Sequence, residues 1–198
     1  PFVNQGGGWG QCFNISKYFY DTFEPGDKRA ETILTRYYSK NNHWVTADHL
    51  GDLWDGFIVN KYPIETSTAF QGTDYPLARW ADVLLLYAEA DARAHNAVSQ
   101  KAVDCVNQVR HRAGLADLDA GKTATVAAFL DALCTERGHE LFYEGCRKID
   151  LIRFNQYYTR MKASGRTPSS EYFPIPDFAV NQAKDGGKEL TQYFTRDN

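Results

Sequence analysis

Apolar residues at Leu77, Trp80, Ala81, Leu84, Leu85, Ala88 and Ala92 recur at three- and four-residue steps. This period predicts a helix whose single apolar face runs for about five turns. Asp74 stands two residues before Pro76, so it is placed to cap the helix with the proline in the first turn. Trp80, among Leu77, Ala81 and Leu84, is expected in the core. Asn96 falls in the next turn, and Ser99 is placed to cap a second helix faced by Ala102, Val103, Val106, Val109 and Ala113. Gly114 followed by Leu115 closes that helix in the manner of a Schellman motif, a C′ glycine before a hydrophobic residue. The two helices form an αα-hairpin, and their small residues permit close packing of the tetratricopeptide kind. One pair does not make an array, which needs neighbouring pairs to cover its faces.

A third helix is predicted from Thr125, with Val126, Phe129, Leu130, Leu133 and Leu141 turned to the core. It is expected to reach Glu144-Gly145, where glycine breaks or bends it. A short helix over Arg147–Asn155 follows, then a Ser/Gly/Pro loop over 164–172. The prolines of Tyr172-Phe173-Pro174-Ile175-Pro176-Asp177 force an extended path. Asp185–Asn198 reads as a loosely ordered wrap.

Before residue 75 the helical period is absent. Short pieces such as Thr32-Ile33-Leu34 and Phe57-Ile58-Val59 are candidate strand cores, separated by Gly, Asn, Asp and Pro. The fold class expected is therefore mainly α: a tetratricopeptide-like hairpin plus further helices, with an irregular, loop-rich segment containing minor β. Residues 1–75 form the loop-rich aromatic segment, expected to face a ligand. Residues 76–198 form a helical region expected to pack with it as one unit.

Composition narrows the function. With 22 Lys+Arg against 25 Asp+Glu the chain lacks the basic excess of a nucleic-acid binder. The apolar run Val83–Ala88 is far too short to span a bilayer. Cys12, Cys105, Cys134 and Cys146 show no C-x-x-C spacing, so a structural zinc site is not expected and buried free thiols are. In an oxidising compartment a Cys134–Cys146 or Cys105–Cys134 bridge is the alternative. Residues 1–75 hold 15 of the 28 aromatic residues, including three of the four Trp. Such rings stack on the C–H faces of sugars while neighbouring Asn, Asp, Gln or Arg bond the hydroxyls. Tyr37, Tyr38, Asn42, His43 and Trp44 form such a mixture, and Trp9 and Trp54 repeat it. These seven are the candidate ligand-binding residues, with Trp44 first, then Tyr38, Trp9 and Trp54.

Glu136, Glu140 and Glu144 stand at i, i+4 and i+8, a stripe that repels itself unless cations meet it. Arg137, Arg147 and Arg153 are the local candidates, with Arg79 and Arg110 from the hairpin. Two carboxylates of the stripe could instead serve as a glycosidase pair. Abundant cations would hold them ionised rather than raise one pKa, which favours a structural network of Glu136, Glu140, Glu144, Arg147, Asp150 and Arg153. His139-Glu140 begins a zincin motif, but Tyr143 replaces the second histidine, so no metal site is expected. Gly6-Gly7-Gly8-Trp9-Gly10 lacks the lysine of a P-loop, and no cofactor is expected.

Taken together, these segments resemble the C-terminal portion of the SusD/RagB family, surface glycan-binding lipoproteins of Bacteroidetes nutrient-uptake systems. Arg79-Trp80-Ala81-Asp82-Val83-Leu84-Leu85-Leu86-Tyr87-Ala88-Glu89-Ala90 is similar to the family's R-Y-A-D-V-L-L-x-Y-A-E-A, and Val106–Leu115 to its I-N-x-V-R-x-R-A-G-L. Glu136-Arg137, Glu140, Glu144-Gly145, Arg147 and Asp150-Leu151-Ile152-Arg153 follow its E-R-x-x-E-x-x-x-E-G-x-R-x-x-D-L-x-R. Phe173-Pro174-Ile175-Pro176, Leu190-Thr191-Gln192 and, upstream, Asp27-Lys28-Arg29 match its closing F-P-I-P and L-T-Q and its D-x-R. Cys146, Lys148, Phe154 and Tyr193-Phe194 depart from the pattern. The resemblance implies a non-catalytic binder of oligosaccharide or polysaccharide at the outer membrane, with a SusC-like TonB-dependent transporter as partner. It also implies a lipid anchor on a preceding N-terminal part, which would supply the other helix pairs. A tetratricopeptide-type peptide-binding scaffold is the third reading beside the binder and the glycosidase.

Overall fold

The computed structural model describes residues 14–38, 42, 44–46, 57–62, 74–168 and 170–190. They fall into two compact units, 1–154 and 155–198. In the first, β1 (Asn14–Ile15) precedes α1 (Lys17–Tyr20), whose N-cap Ser16 accepts a hydrogen bond from the Phe19 N–H. A 3-10 turn over Ala30–Thr32 leads into β2 (Ile33–Leu34). The strands β3 (Arg36–Tyr38) and β4 (Trp44–Thr46) pair antiparallel as a hairpin, and β5 (Phe57–Val59) lies between β1 and β2 in a three-stranded antiparallel sheet. Ile33, Phe57 and Phe142 are buried together, with Ile15, Phe19, Tyr20, Phe23 and Val59 packed round them. This aromatic cluster seats the irregular segment on the end of a long helix.

The helical part is mainly α, as its periodicity predicts. It begins with α2 (Trp80–His95) and α3 (Gln100–Arg112), joined through Asn96 in the left-handed conformation. Ser99 caps α3 by accepting from the Ala102 N–H. The α3 terminus is the expected Schellman turn: the Leu115 N–H donates to the Arg110 carbonyl, that of Gly114 to His111, and Gly114 has φ +83°. A short α4 (Ala120–Thr123) precedes α5 (Val126–Leu141), which Thr125 caps through the Ala128 N–H, and α6 (Arg147–Arg153) follows. Leu85, Ala88 and Ala92 of α2, Ala102 and Val106 of α3 and Phe129 and Leu133 of α5 are fully buried, so the alanines let three helices meet closely.

Three expectations need correction. Helix α2 starts at Trp80, after Arg79 in an extended conformation, rather than at Pro76, so Asp74 does not cap it. Trp80 is 69% exposed and Leu77 almost wholly so, not core. The covered face is centred on Leu85, Ala88 and Ala92, whose line passes through Ala81; one residue earlier, Trp80 is turned roughly 100° away. Helix α5 ends at Leu141 rather than at Glu144-Gly145, because side-chain cations take its last carbonyls.

The second unit contains α7 (Tyr157–Ala163) and α8 (Asp177–Asp185), neither foreseen as helix. Pro176 ends the extended run of 172–176 and starts α8, with Asp177 favourable in its first turn. Cys105, Cys134 and Cys146 are free thiols, so neither alternative bridge is formed, and Cys12 lies outside the described residues.

Candidate functional site

Among the seven candidate ligand residues, the hairpin of β3 and β4 brings a subset together. Tyr38 stands directly opposite Trp44 in register, and the rings meet edge to face with centroids 5.6 Å apart. Arg36, two residues along the same strand, places its guanidinium 5.5 Å from the Trp44 centroid. Asn42 adopts the left-handed conformation with φ 61°, and its carbonyl accepts the Tyr38 hydroxyl at 3.0 Å. That bond ties the loop to the strand and fixes the Tyr38 ring. Trp44 is 57% exposed, so much of the side chain meets solvent beside a hydroxyl and a cation. The Tyr37 backbone pairs with Val45 in the same hairpin. Trp9, His43 and Trp54 lie outside the described residues. Arg36 was missed in the sequence; its only signal was the i, i+2 spacing to Tyr38 on a strand face.

The carboxylate stripe, Glu136 and Glu140 on α5 and Glu144 in the turn after it, is buried, and each of its members is met by cations from several segments. Glu136 takes Arg29 at 2.6 Å and Arg110 at 3.1 Å. Glu140 takes Arg29 at 3.3 Å, Arg79 at 2.8 Å and also Arg112. Glu144 takes Arg79 at 2.8 Å and also Lys61. Arg29 is held in turn by both Asp27 oxygens, which links the D-x-R stretch to the stripe. Arg110 reaches Glu24 at 2.8 Å, holding the Glu24 carboxyl down to about 2. Burial pushes the Glu144 carboxyl up, but Arg79 and Lys61 outweigh it and hold it below the usual carboxylate range.

Of the expected local cations, Arg79 and Arg110 meet the stripe directly. Arg137 pairs with Asp150 at 2.9 Å and Asp82 at 2.8 Å, and Arg153 with Asp150 at 2.7 Å and Glu89 at 2.9 Å. Arg147 donates to the Cys134 carbonyl at 2.8 Å. Its guanidinium crosses Gly138, where a Cβ would stand 2.6 Å from Nη1; this explains a glycine in mid-helix. Arg29 and Lys61 were not among the expected partners of the stripe, and no local pattern joins residues so distant in sequence.

His139 lies flat on Phe23, with ring centroids 4.1 Å apart. Its Nε2 is 2.9 Å from the Thr22 hydroxyl oxygen, and that hydroxyl donates to the Phe19 carbonyl, so Nε2–H is the donor to Thr22. Burial, with Arg29 nearby, pushes the imidazole down to about 3 and keeps it neutral. A pocket of about 270 Å³ opens between Thr22, Glu24, Arg110, Lys122 and His139, and Glu24 pairs there with both Arg110 and Lys122. Among the described residues no cluster of three His, Cys, Asp or Glu side chains is placed to hold a metal ion.

Similarity to known proteins fits this geometry. The starch-binding protein SusD of Bacteroides thetaiotaomicron is 28% identical over 142 residues, 67% of this chain and 24% of that protein. The SusD-like protein P38 of Formosa agariphila is 29% identical over 143 residues, 68% of this chain and 27% of that protein. The chain thus spans about a quarter of the length of the curated relatives it matches. A SusD homologue of Bacteroides thetaiotaomicron of known structure shares the fold, with a TM-score of 0.64 at 22% identity over 84% of this chain and 40% of that one. With residues 3–194 matching the SusD family profile, the chain belongs to the SusD family.

Proposed function

We propose that this chain is part of a non-catalytic glycan-binding protein of the bacterial cell surface. The observation that carries the reading is the open Trp44 ring, braced by Tyr38 and Arg36, in a chain of the SusD family. A sugar ring would lay its C–H face on Trp44 while Tyr38 or Asn42 meets its hydroxyls; Tyr37, His43, Trp9 and Trp54 stay as further candidate contacts. The full-length protein would sit on the outer membrane through a lipid anchor in its preceding part and pass captured oligosaccharide to a SusC-like TonB-dependent transporter. A curated relative is named as starch-binding, which makes starch oligosaccharides a natural first probe.

The glycosidase reading requires one carboxyl of the stripe to be held protonated in an open cleft. Here every carboxylate of the stripe is buried and paired with two or more cations, and Glu144 is moved in the acidic direction. The test is to present the full-length protein to an array of neutral oligosaccharides and to analyse the same sugars for cleavage. Saturable binding with every sugar intact is expected. Cleavage that Glu140→Gln abolishes without lowering the melting temperature would establish the enzyme instead.

A further inference from the structure

A second aromatic surface lies away from the β3–β4 hairpin, at the end of α5. The chain leaves that helix through Phe142, Tyr143, Glu144 and Gly145, and Tyr143 has φ +64°. Every other described residue with positive φ is Asn or Gly, the types that tolerate this conformation. Tyr143 is the exception, and its ring is 47% exposed, so core packing does not account for it. Strain of this kind persists where the surroundings over-determine it, which here they do. The Lys61 ammonium donates to the carbonyls of Glu140 at 2.8 Å and Phe142 at 3.1 Å, on either side of the helix end. Arg79 donates to the same Glu140 carbonyl at 2.9 Å, and both cations also hold Glu144. The turn that presents Tyr143 is therefore clamped by two partly buried cations from separate segments.

Two more tyrosines converge on it from separate segments. Tyr62, next to the clamping Lys61, sets its ring 6.4 Å from that of Tyr143 at an angle of 43°, an open V. Tyr75 is 57% exposed, and its hydroxyl lies over Gly145, 3.4 Å from where a Cβ would stand. We propose that Tyr143, Tyr62 and Tyr75 form a second carbohydrate subsite, with a neutral sugar ring seated on the Tyr143 face, the Tyr62 ring backing it and the sugar hydroxyls met by the exposed Tyr75 and Tyr143 phenols. Flat rings with polar tips, held rigidly on an ionic base, suit a sugar better than the aliphatic side chains of a protein partner. This subsite rests on the glycan-binding reading above and deepens it.

The positive φ supplies variants that remove the ring and still suit the backbone. Tyr143→Gly and Tyr143→Asn both accept positive φ, so relief of strain offsets the lost ring contacts and their melting temperatures should stay within a few degrees of the wild type. In calorimetry of the full-length protein against malto-, cello- and xylo-oligosaccharides, both should bind about three- to tenfold more weakly than wild type. Tyr143→Phe keeps the face and should stay within about twofold. Wild-type affinity in Tyr143→Gly, for a sugar that the wild type binds, would overturn the subsite and leave the broader reading standing. Absence of binding by the wild type to every sugar tested would overturn both.

Discussion

Replacing Glu140 by alanine is expected to lower stability by about 3–5 kcal/mol, the cost of breaking a buried ion network by removing one partner. Glu140 is 2% exposed and joins Arg29 to Arg79 across the centre of the network. Arg29, itself buried, would keep Asp27 and Glu136, while Arg79 would keep Glu144 and the backbone carbonyl of residue 140 but lose its bond to the Glu140 carboxylate. Glu140→Gln preserves the shape but not the charge and should fall in the same direction. For a chain of this size the loss corresponds to a drop in melting temperature of roughly 10 °C. Arg112 is the contrast: its side chain is mostly exposed, so Arg112→Ala should cost less than about 1 kcal/mol. Thermal melts of the three variants decide the matter. A Glu140→Gln protein that melts with the wild type would show that the stripe is not structural.

Acid should weaken the protein through His139. Its folded pKa lies at about 3, against 6.5 for the free imidazole, because burial and Arg29 disfavour the charged form. Between those values the unfolded chain binds a proton that the folded chain refuses, so stability falls as pH falls. The loss from this one group reaches about 3 kcal/mol by pH 4.5 and about 4 kcal/mol near pH 3. Glu24 also contributes to acid loss, but its window runs from 4.5 down to about 2. Unfolding free energies measured from pH 7 to 4.5 therefore isolate the histidine. His139→Gln, which can still donate to Thr22, and His139→Phe, which can still stack on Phe23, should both flatten that slope. An unchanged slope in both would place the titrating group elsewhere.

Features governed by chemistry within one turn of chain were legible in the sequence. The caps at Ser99 and Thr125 and the turn at Gly114-Leu115 need only a side-chain oxygen or a missing Cβ at a fixed offset. The α2–α3 hairpin followed from periodicity, and the strands at Ile33 and Phe57 from short apolar runs bounded by turn residues. Trp80 was misread because periodicity identifies a face but not how far round the helix the neighbours cover it. Helix α5 was overrun because the cations that end it, Lys61 and Arg79, come from segments far away in sequence. Helices α7 and α8 were missed because they are only two turns long and lie beside Gly and Pro residues that mask a helical period. The stripe at Glu136, Glu140 and Glu144 announced a need for cations, yet only the fold shows that Arg29 and Lys61 are among them.

The central claim is that an exposed aromatic face on the β3–β4 hairpin takes hold of glycan. Calorimetric titration of the full-length protein with the oligosaccharide it binds on the array, repeated for Trp44→Ala, tests it most directly. Trp80, exposed on α2 and distant from the β3–β4 hairpin in sequence, provides a control ring of the same type. Trp44→Ala is expected to lose about 0.5–1.5 kcal/mol of binding free energy beyond its contact area while melting within a few degrees of the wild type, with Trp80→Ala binding normally. Undiminished affinity in Trp44→Ala, or a loss accompanied by collapse of the fold, would contradict the account and make that ring part of the structure rather than of the binding surface.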